Sequence, residues 1–117
     1  EKYPEVEKKP EITIDDFDKV QIQVGEVIKC EPVPKAKKLL VSQIKIGAET
    51  RQIVSGIAKY YKPEEMVGKK VAVITNLKPC KLCGVESQGM ILAAGDDEGN
   101  LSVVTVDKDI VSGSEIC

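Results

Sequence analysis

The sequence predicts an all-β domain, a five-stranded Greek-key barrel with short helices and a C-terminal extension. Three observations point there. Short runs of alternating or continuous β-branched residues recur along the chain, separated by Gly- and Pro-containing breaks. A helical segment falls before the fourth strand, and the strand count stays below the roughly seven that a sandwich needs. Finally, 117 residues with 42% hydrophobic content suffice for one small core and not for two.

Residues 1–11 are charged, broken by Pro4 and Pro10, and without apolar periodicity, so they read as a linker-like segment ahead of a domain over 12–117. The chain opens on Glu1 rather than Met, which suggests a piece of a longer protein. Thr13 followed three residues later by Asp16 is a capping pattern, and Ile14, Phe17 and Val20 then share one face of a short helix. From Val20 the sequence alternates with period two through Ile22, Val24, Val27 and Ile28, as a half-buried strand does. Glu31-Pro32-Val33-Pro34 breaks it; residues 39–46 and 51–54 resume strand character on either side of Gly47. Residues 55–61 read as a loop, and 62–68, with Pro63 near the start and Gly68 at the end, as a second short helix. Residues 71–75 form a continuous apolar run suited to a central strand; 89–94 and 101–106 supply two more around the turn at Gly95-Asp96-Asp97-Glu98-Gly99-Asn100. The expectation is five to six strands and two short helices, a pattern of the OB type.

The net charge of −2 conceals a strong asymmetry. Residues 1–28 carry four Lys/Arg against eight Asp/Glu, residues 29–81 twelve against four, and residues 82–117 one against seven. A middle third at +8 is the footprint of a phosphate-binding face, although solvated lysines alone give the same count. The chain has no His and no Gly-rich phosphate loop, which removes the usual general bases and argues against catalysis. Cys80-Lys81-Leu82-Cys83-Gly84 has the form of half a zinc knuckle, but Cys30 and Cys117 stand apart, so free thiols, no metal and no cofactor are expected. Of the four aromatics Tyr3, Phe17, Tyr60 and Tyr61, none lies in a predicted strand, so base stacking has no platform and recognition must rest on backbone and shape. No apolar window approaches a membrane span and no apolar segment follows a basic N-terminus as in a signal peptide, so a cytoplasmic protein is expected.

The run Asn76-Leu77-Lys78-Pro79-Cys80-Lys81-Leu82-Cys83-Gly84-Val85-Glu86-Ser87-Gln88-Gly89-Met90-Ile91 is too particular in its order for a generic loop. Together with Ile14-Asp15-Asp16-Phe17, Val24-Gly25-Glu26-Val27, Lys35-Ala36-Lys37-Lys38-Leu39 and Arg51-Gln52-Ile53-Val54-Ser55-Gly56, it resembles a tRNA-binding domain family over about residues 12–117. That family occurs at the C-terminus of many methionyl-tRNA synthetases, in free-standing structure-specific tRNA-binding proteins, and in endothelial monocyte-activating polypeptide precursors.

The resemblance implies an OB-fold that dimerises through its terminal extensions and grips folded tRNA with little sequence preference. It places Asn76, Lys78, Lys81, Ser87 and Met90 in the signature segment, and Lys35, Lys38, Arg51 and Lys59 more loosely at the tRNA surface. Met90 has core packing as its equal alternative. At Cys80 the family generally carries a basic residue, usually Arg. The linker-like N-terminus favours a noncatalytic domain appended to a methionine–tRNA ligase. The rivals are a free-standing tRNA-binding protein and a secretion-chaperone-like protein-interaction module.

Overall fold

A computed structural model describes residues 3–117. Residues 3–13 run without regular structure, all exposed, and the linker expected over 1–11 falls partly on residues 1 and 2, outside the described residues. Thr13 caps α1 (Ile14–Phe17): its hydroxyl accepts from Asp16 N while the Asp16 carboxylate accepts from Thr13 N. The apolar face expected of this helix exists, but the domain does not cover it. Ile14 is 71% exposed, Phe17 36% and Val20 41%.

Five strands make the barrel: β1 (Ile22–Val33), β2 (Ala36–Ile46), β3 (Glu49–Ser55), β4 (Lys70–Ile74) and β7 (Met90–Ile91), in the order β3-β2-β1-β4-β7. β1 is long because it serves two neighbours, pairing with β4 over Ile22 to Glu26 and with β2 from Glu26 to Val33. It must bend between these halves. A register shift at Val27/Lys29 turns Ile28 outward, where it is 48% exposed, and Gly25 occupies the inner side of the bend. A Cβ on Gly25 would lie 2.5 Å from Ile44 Cγ2, so no larger residue fits there.

The break expected at residues 31–34 is corrected. β1 continues through Pro32, which pairs opposite Leu40 beside a second register shift, where a missing N–H costs the ladder little. β2 and β3 extend somewhat beyond the predicted spans, and α2 (Pro63–Met66) lies inside the predicted second helix. Residues 89–94 divide at Leu92 into β7 and β8 (Ala93–Gly95). Leu92 keeps its bonds to the sheet, its N–H on Ala72 O and its carbonyl accepting from Val104 N. β9 (Leu101–Val103) pairs only with β8, and β10 (Glu115–Ile116) adds to β1.

Two further strands, β5 (Cys80–Leu82) and β6 (Val85–Ser87), form a hairpin where the sequence suggested only loop. Val27, Leu40, Ile44, Ile53, Met66, Val71 and Val73 fill the barrel interior, each at most 1% exposed. This is the OB fold that the sequence predicts.

Candidate nucleic-acid interface

The barrel closes between β3 and the segment that leads into β7, and the closure is built largely from side chains. Gln88 N donates to Gln52 O at 2.8 Å, and Gln88 Oε1 accepts from Gln52 N at 3.1 Å. Ser87 Oγ accepts from Val54 N at 2.9 Å and donates to Gly89 O at 3.0 Å. Gln52 Nε2 donates to Glu86 O at 2.9 Å, which ties the β5–β6 hairpin to the barrel. Gly89 lets the two walls meet: a Cβ there would stand 2.9 Å from Ile74 O and 3.2 Å from Ile53 Cδ1.

The predicted site residues divide by what their polar atoms already do. Ser87 is 2% exposed and its hydroxyl is fully used in the closure. Asn76 lies at the surface, yet its Oδ1 accepts from Gln21 N at 2.8 Å and its Nδ2 donates to Lys19 O at 2.7 Å, pinning the entry to β1. The Arg51 guanidinium pairs with Glu49 and donates from NH1 to Thr75 O and to Gln88 O. These three shape the wall. Met90 sits in β7 opposite Ile74 and is 45% exposed, so its side chain is not packed away in the core.

Lys35, Lys38, Lys59, Lys78 and Lys81 are all exposed and have no salt-bridge partner among the described residues. Lys38, Lys59, Lys78 and Lys81 lie on segments that adjoin β3, and Lys35 lies in the turn between β1 and β2. At the Ser55 end of β3, Ala58 N donates to Lys38 O, which brings the Lys38 and Lys59 backbones together. At its Glu49 end, Leu77 and Pro79, the neighbours of Lys78, line a cleft with Glu49 and Arg51. Between them lies the hairpin, in which Lys81 pairs opposite Glu86.

Cys80 and Cys83 are exposed and all four thiols are free; among the described residues no group of three or more His, Cys, Asp or Glu is placed to hold a metal. Burial pushes the Cys30 thiol up, although the Ser42 hydroxyl on its sulfur partly offsets this. Away from these lysines, the side-chain amide of Asn100 and the backbone N–H groups of Asn100 and Glu98 hold Asp96 below the usual carboxylate range in the β8–β9 turn. Among the described residues no helix is long and apolar enough to cross a membrane.

Sequence reasoning missed the hairpin and the glutamine contacts that hold it. Its one local signal was Cys83-Gly84, where both residues take positive φ (50° and 80°) as a two-residue hairpin turn requires.

Fold and wall together define an OB-fold domain with exposed lysines on the segments around one strand and on the β1–β2 turn. Residues 22–115 match the family described as "Putative tRNA binding domain", and the chain belongs to that family. It is 61% identical over 94% of its length to the methionine–tRNA ligase of Methanocaldococcus jannaschii, and 56% identical over 99% to methionine–tRNA ligase 1 of Bacillus anthracis. In each case it spans 17% of the relative, about a sixth of that protein. Among solved structures, the MetRS related protein from Pyrococcus horikoshii superposes with a TM-score of 0.88 at 38% identity, covering 93% of this chain and all of that one. The chaperone CsaA from Bacillus anthracis superposes at 0.84 over 92% of this chain and all of that one, but at 21% identity it shares the fold alone.

Proposed function

We propose that this chain is the noncatalytic C-terminal tRNA-binding domain of a cytoplasmic methionine–tRNA ligase, joined through a linker at residues 1–11, and that it raises the enzyme's hold on tRNA by neutralising phosphates. The observation that carries this reading is the set of exposed lysines Lys35, Lys38, Lys59, Lys78 and Lys81, none with an acidic partner among the described residues. Such cations release counterions when they meet a polyanion. No aromatic ring lies in a strand, so the wall is suited to the backbone and shape of folded RNA rather than to stacked single strands.

The domain acts as a homodimer. The exposed apolar residues Ile14, Phe17 and Val20 near one terminus, and Ile110 and Val111 near the other, supply a face for a second copy. Light scattering on the intact chain should give twice 12.7 kDa, and Phe17→Glu or Val111→Asp should shift it toward monomer. A monomeric parent chain would refute the dimer.

The test of the main reading is a salt titration of binding to several folded tRNAs and to poly-U. Folded tRNAs should bind alike and poly-U clearly less well. Lys78→Ala and Lys81→Ala should each weaken every tRNA and reduce the magnitude of the log K against log salt slope by up to about one unit. Equal affinity for poly-U, or slopes untouched by both substitutions, would sink it. An apolar peptide-binding module, the rival of another class, would show little salt dependence.

A further inference from the structure

Between the start of β3 and the loop after β4 lies an open cleft of about 470 Å³, lined among others by Glu49, Arg51, Thr75, Leu77, Pro79 and Gln88. It has room for one nucleotide and none for a duplex. Its chemistry is unsuited to phosphate. Arg51 is the one cation among its lining residues, and that guanidinium is already spent on the Glu49 carboxylate and the carbonyls of Thr75 and Gln88. A free carboxylate oxygen here repels a polyanion, so the cleft does not continue the lysine surface.

What it offers is a hydrogen-bonding edge beside apolar surface. Glu49 is 60% exposed and uses only Oε1 on Arg51, which leaves Oε2 as an acceptor without a partner among the described residues. Gln88 gives its Oε1 to Gln52 N, and its Nε2 has no acceptor among the described residues. Leu77, 46% exposed, and Pro79 flank Lys78 in sequence, so the backbone of one exposed lysine runs along the rim of this cleft.

We propose that the cleft takes one unstacked guanine of the bound RNA, an inference that rests on the tRNA reading above. Guanine alone presents two adjacent donors, N1–H and the 2-amino group, which suit the Glu49 carboxylate, next to an O6 acceptor that suits the Gln88 amide. Adenine sets an acceptor, N1, where the carboxylate needs a donor; uracil has one N–H between two carbonyls, and cytosine one amino group beside acceptors. No aromatic lines the cleft, so Leu77 and Pro79 cover the ring. Base recognition also accounts for an acidic residue within a basic wall.

The test titrates GMP, IMP and AMP into the ¹⁵N-labelled chain, following the Gln88 side-chain amide and the Arg51 Nε–H. All three nucleotides carry the same phosphate, and IMP differs from GMP only by the 2-amino group. GMP should move the Gln88 resonance and bind about five-fold or more tightly than IMP or AMP, the low end of edge discrimination for an open site. Glu49→Gln should abolish that preference, bringing GMP to the affinity of IMP and AMP, because it removes the carboxylate that accepts from N1–H and the 2-amino group; a preference for GMP that survives it overturns the guanine site. Three equal affinities, or shifts confined to the lysines, overturn the guanine site. A wild-type chain that fails to bind tRNA overturns the reading beneath it, whereas tRNA binding without guanine preference overturns the base site alone.

Discussion

Ser87 should matter to stability first, and to RNA affinity only through the seating of its hairpin, and the structure sets the size of the effect. Its hydroxyl is the partner of the Val54 amide at 2.9 Å, and Ser87 and Val54 are 2% and 5% exposed. Ser87→Ala therefore strands a buried N–H that water cannot reach, along with the Gly89 carbonyl. A buried donor left unsatisfied costs about 1–3 kcal/mol, and about 2 kcal/mol is expected at this fully enclosed position. For a domain of this size that corresponds to a fall in melting temperature of roughly 8 °C.

Gln88→Ala supplies the comparison. It removes the acceptor of the Gln52 amide, but both residues are only half-buried and water can replace the lost oxygen, so the cost should stay under about 1 kcal/mol. Differential scanning calorimetry measures both, and tRNA affinity is read well below either transition. Ser87→Ala should melt early and, at low temperature, keep the parent's salt slope for tRNA, any loss of affinity coming from the looser hairpin. If instead it melts within a degree or two of the parent and binds weakly, the hydroxyl faces RNA and the account of barrel closure is wrong.

Gly89→Ala should cost about 1–3 kcal/mol in urea unfolding at an unchanged m-value, because its Cβ would press on Ile74 O at 2.9 Å. The side-chain hydrogen bond from Lys70, then its charge, holds Asp109 below the usual carboxylate range; stability from this contact is present above the ordinary Asp pKa and is lost as pH falls through the depressed one. In an NMR titration Lys70→Met should raise the Asp109 pKa, and no change would remove Lys70 as the cause. Iodoacetamide followed by mass spectrometry should label Cys80, Cys83 and Cys117 early and Cys30 last, since burial raises that thiol and shields it; early labelling of Cys30 would contradict its place in the core. Cys80→Arg should tighten tRNA binding by roughly 1 kcal/mol at low salt, with a slightly steeper salt slope and an unchanged melting temperature, because Cys80 is exposed; weaker binding or early melting would contradict an RNA-facing hairpin without metal.

The parts of the fold legible in the sequence were those governed by local periodicity. Period-two alternation located the start of β1, the apolar run located β4, and Thr13 with Asp16 located the cap of α1. The β5–β6 hairpin was hidden because its strands are three residues long and mostly exposed, so they carry no apolar alternation, and because Cys83 stands where Asn or Asp usually signals such a turn. The division within the site was equally invisible. Whether Arg51 meets a phosphate or a carbonyl depends on Thr75 and Gln88, which lie 24 and 37 positions along the chain. Charge by segment was informative, but it could not tell the lysines without acidic partners from Lys29 and Lys70, which pair with Glu31 and Asp109.

The signature segment thus joins two physical tasks. Ser87, Gln88 and Gly89 close the barrel on β3, and the same contacts seat the hairpin that carries Lys81, through Gln52 Nε2 on the Glu86 carbonyl. A lysine on a free loop would pay for ordering its backbone at the moment of binding, whereas one on a seated hairpin has only its side chain left to immobilise, at about 0.5–1.5 kcal/mol. Closure and affinity should therefore be coupled in one direction. Substitutions that loosen β6 from β3 without unfolding the barrel should weaken tRNA binding by lowering the population of the seated hairpin, while removing Lys81 should leave the closure intact. Gln52→Ala tests this, since it deletes the Glu86 contact and otherwise only the bond that its Oε1 accepts from the half-buried Gln43 amide. Its tRNA affinity should fall at an unchanged salt slope, whereas Lys81→Ala should reduce both affinity and slope; a reduced slope for Gln52→Ala would mean that its amide acts on the phosphate contacts themselves.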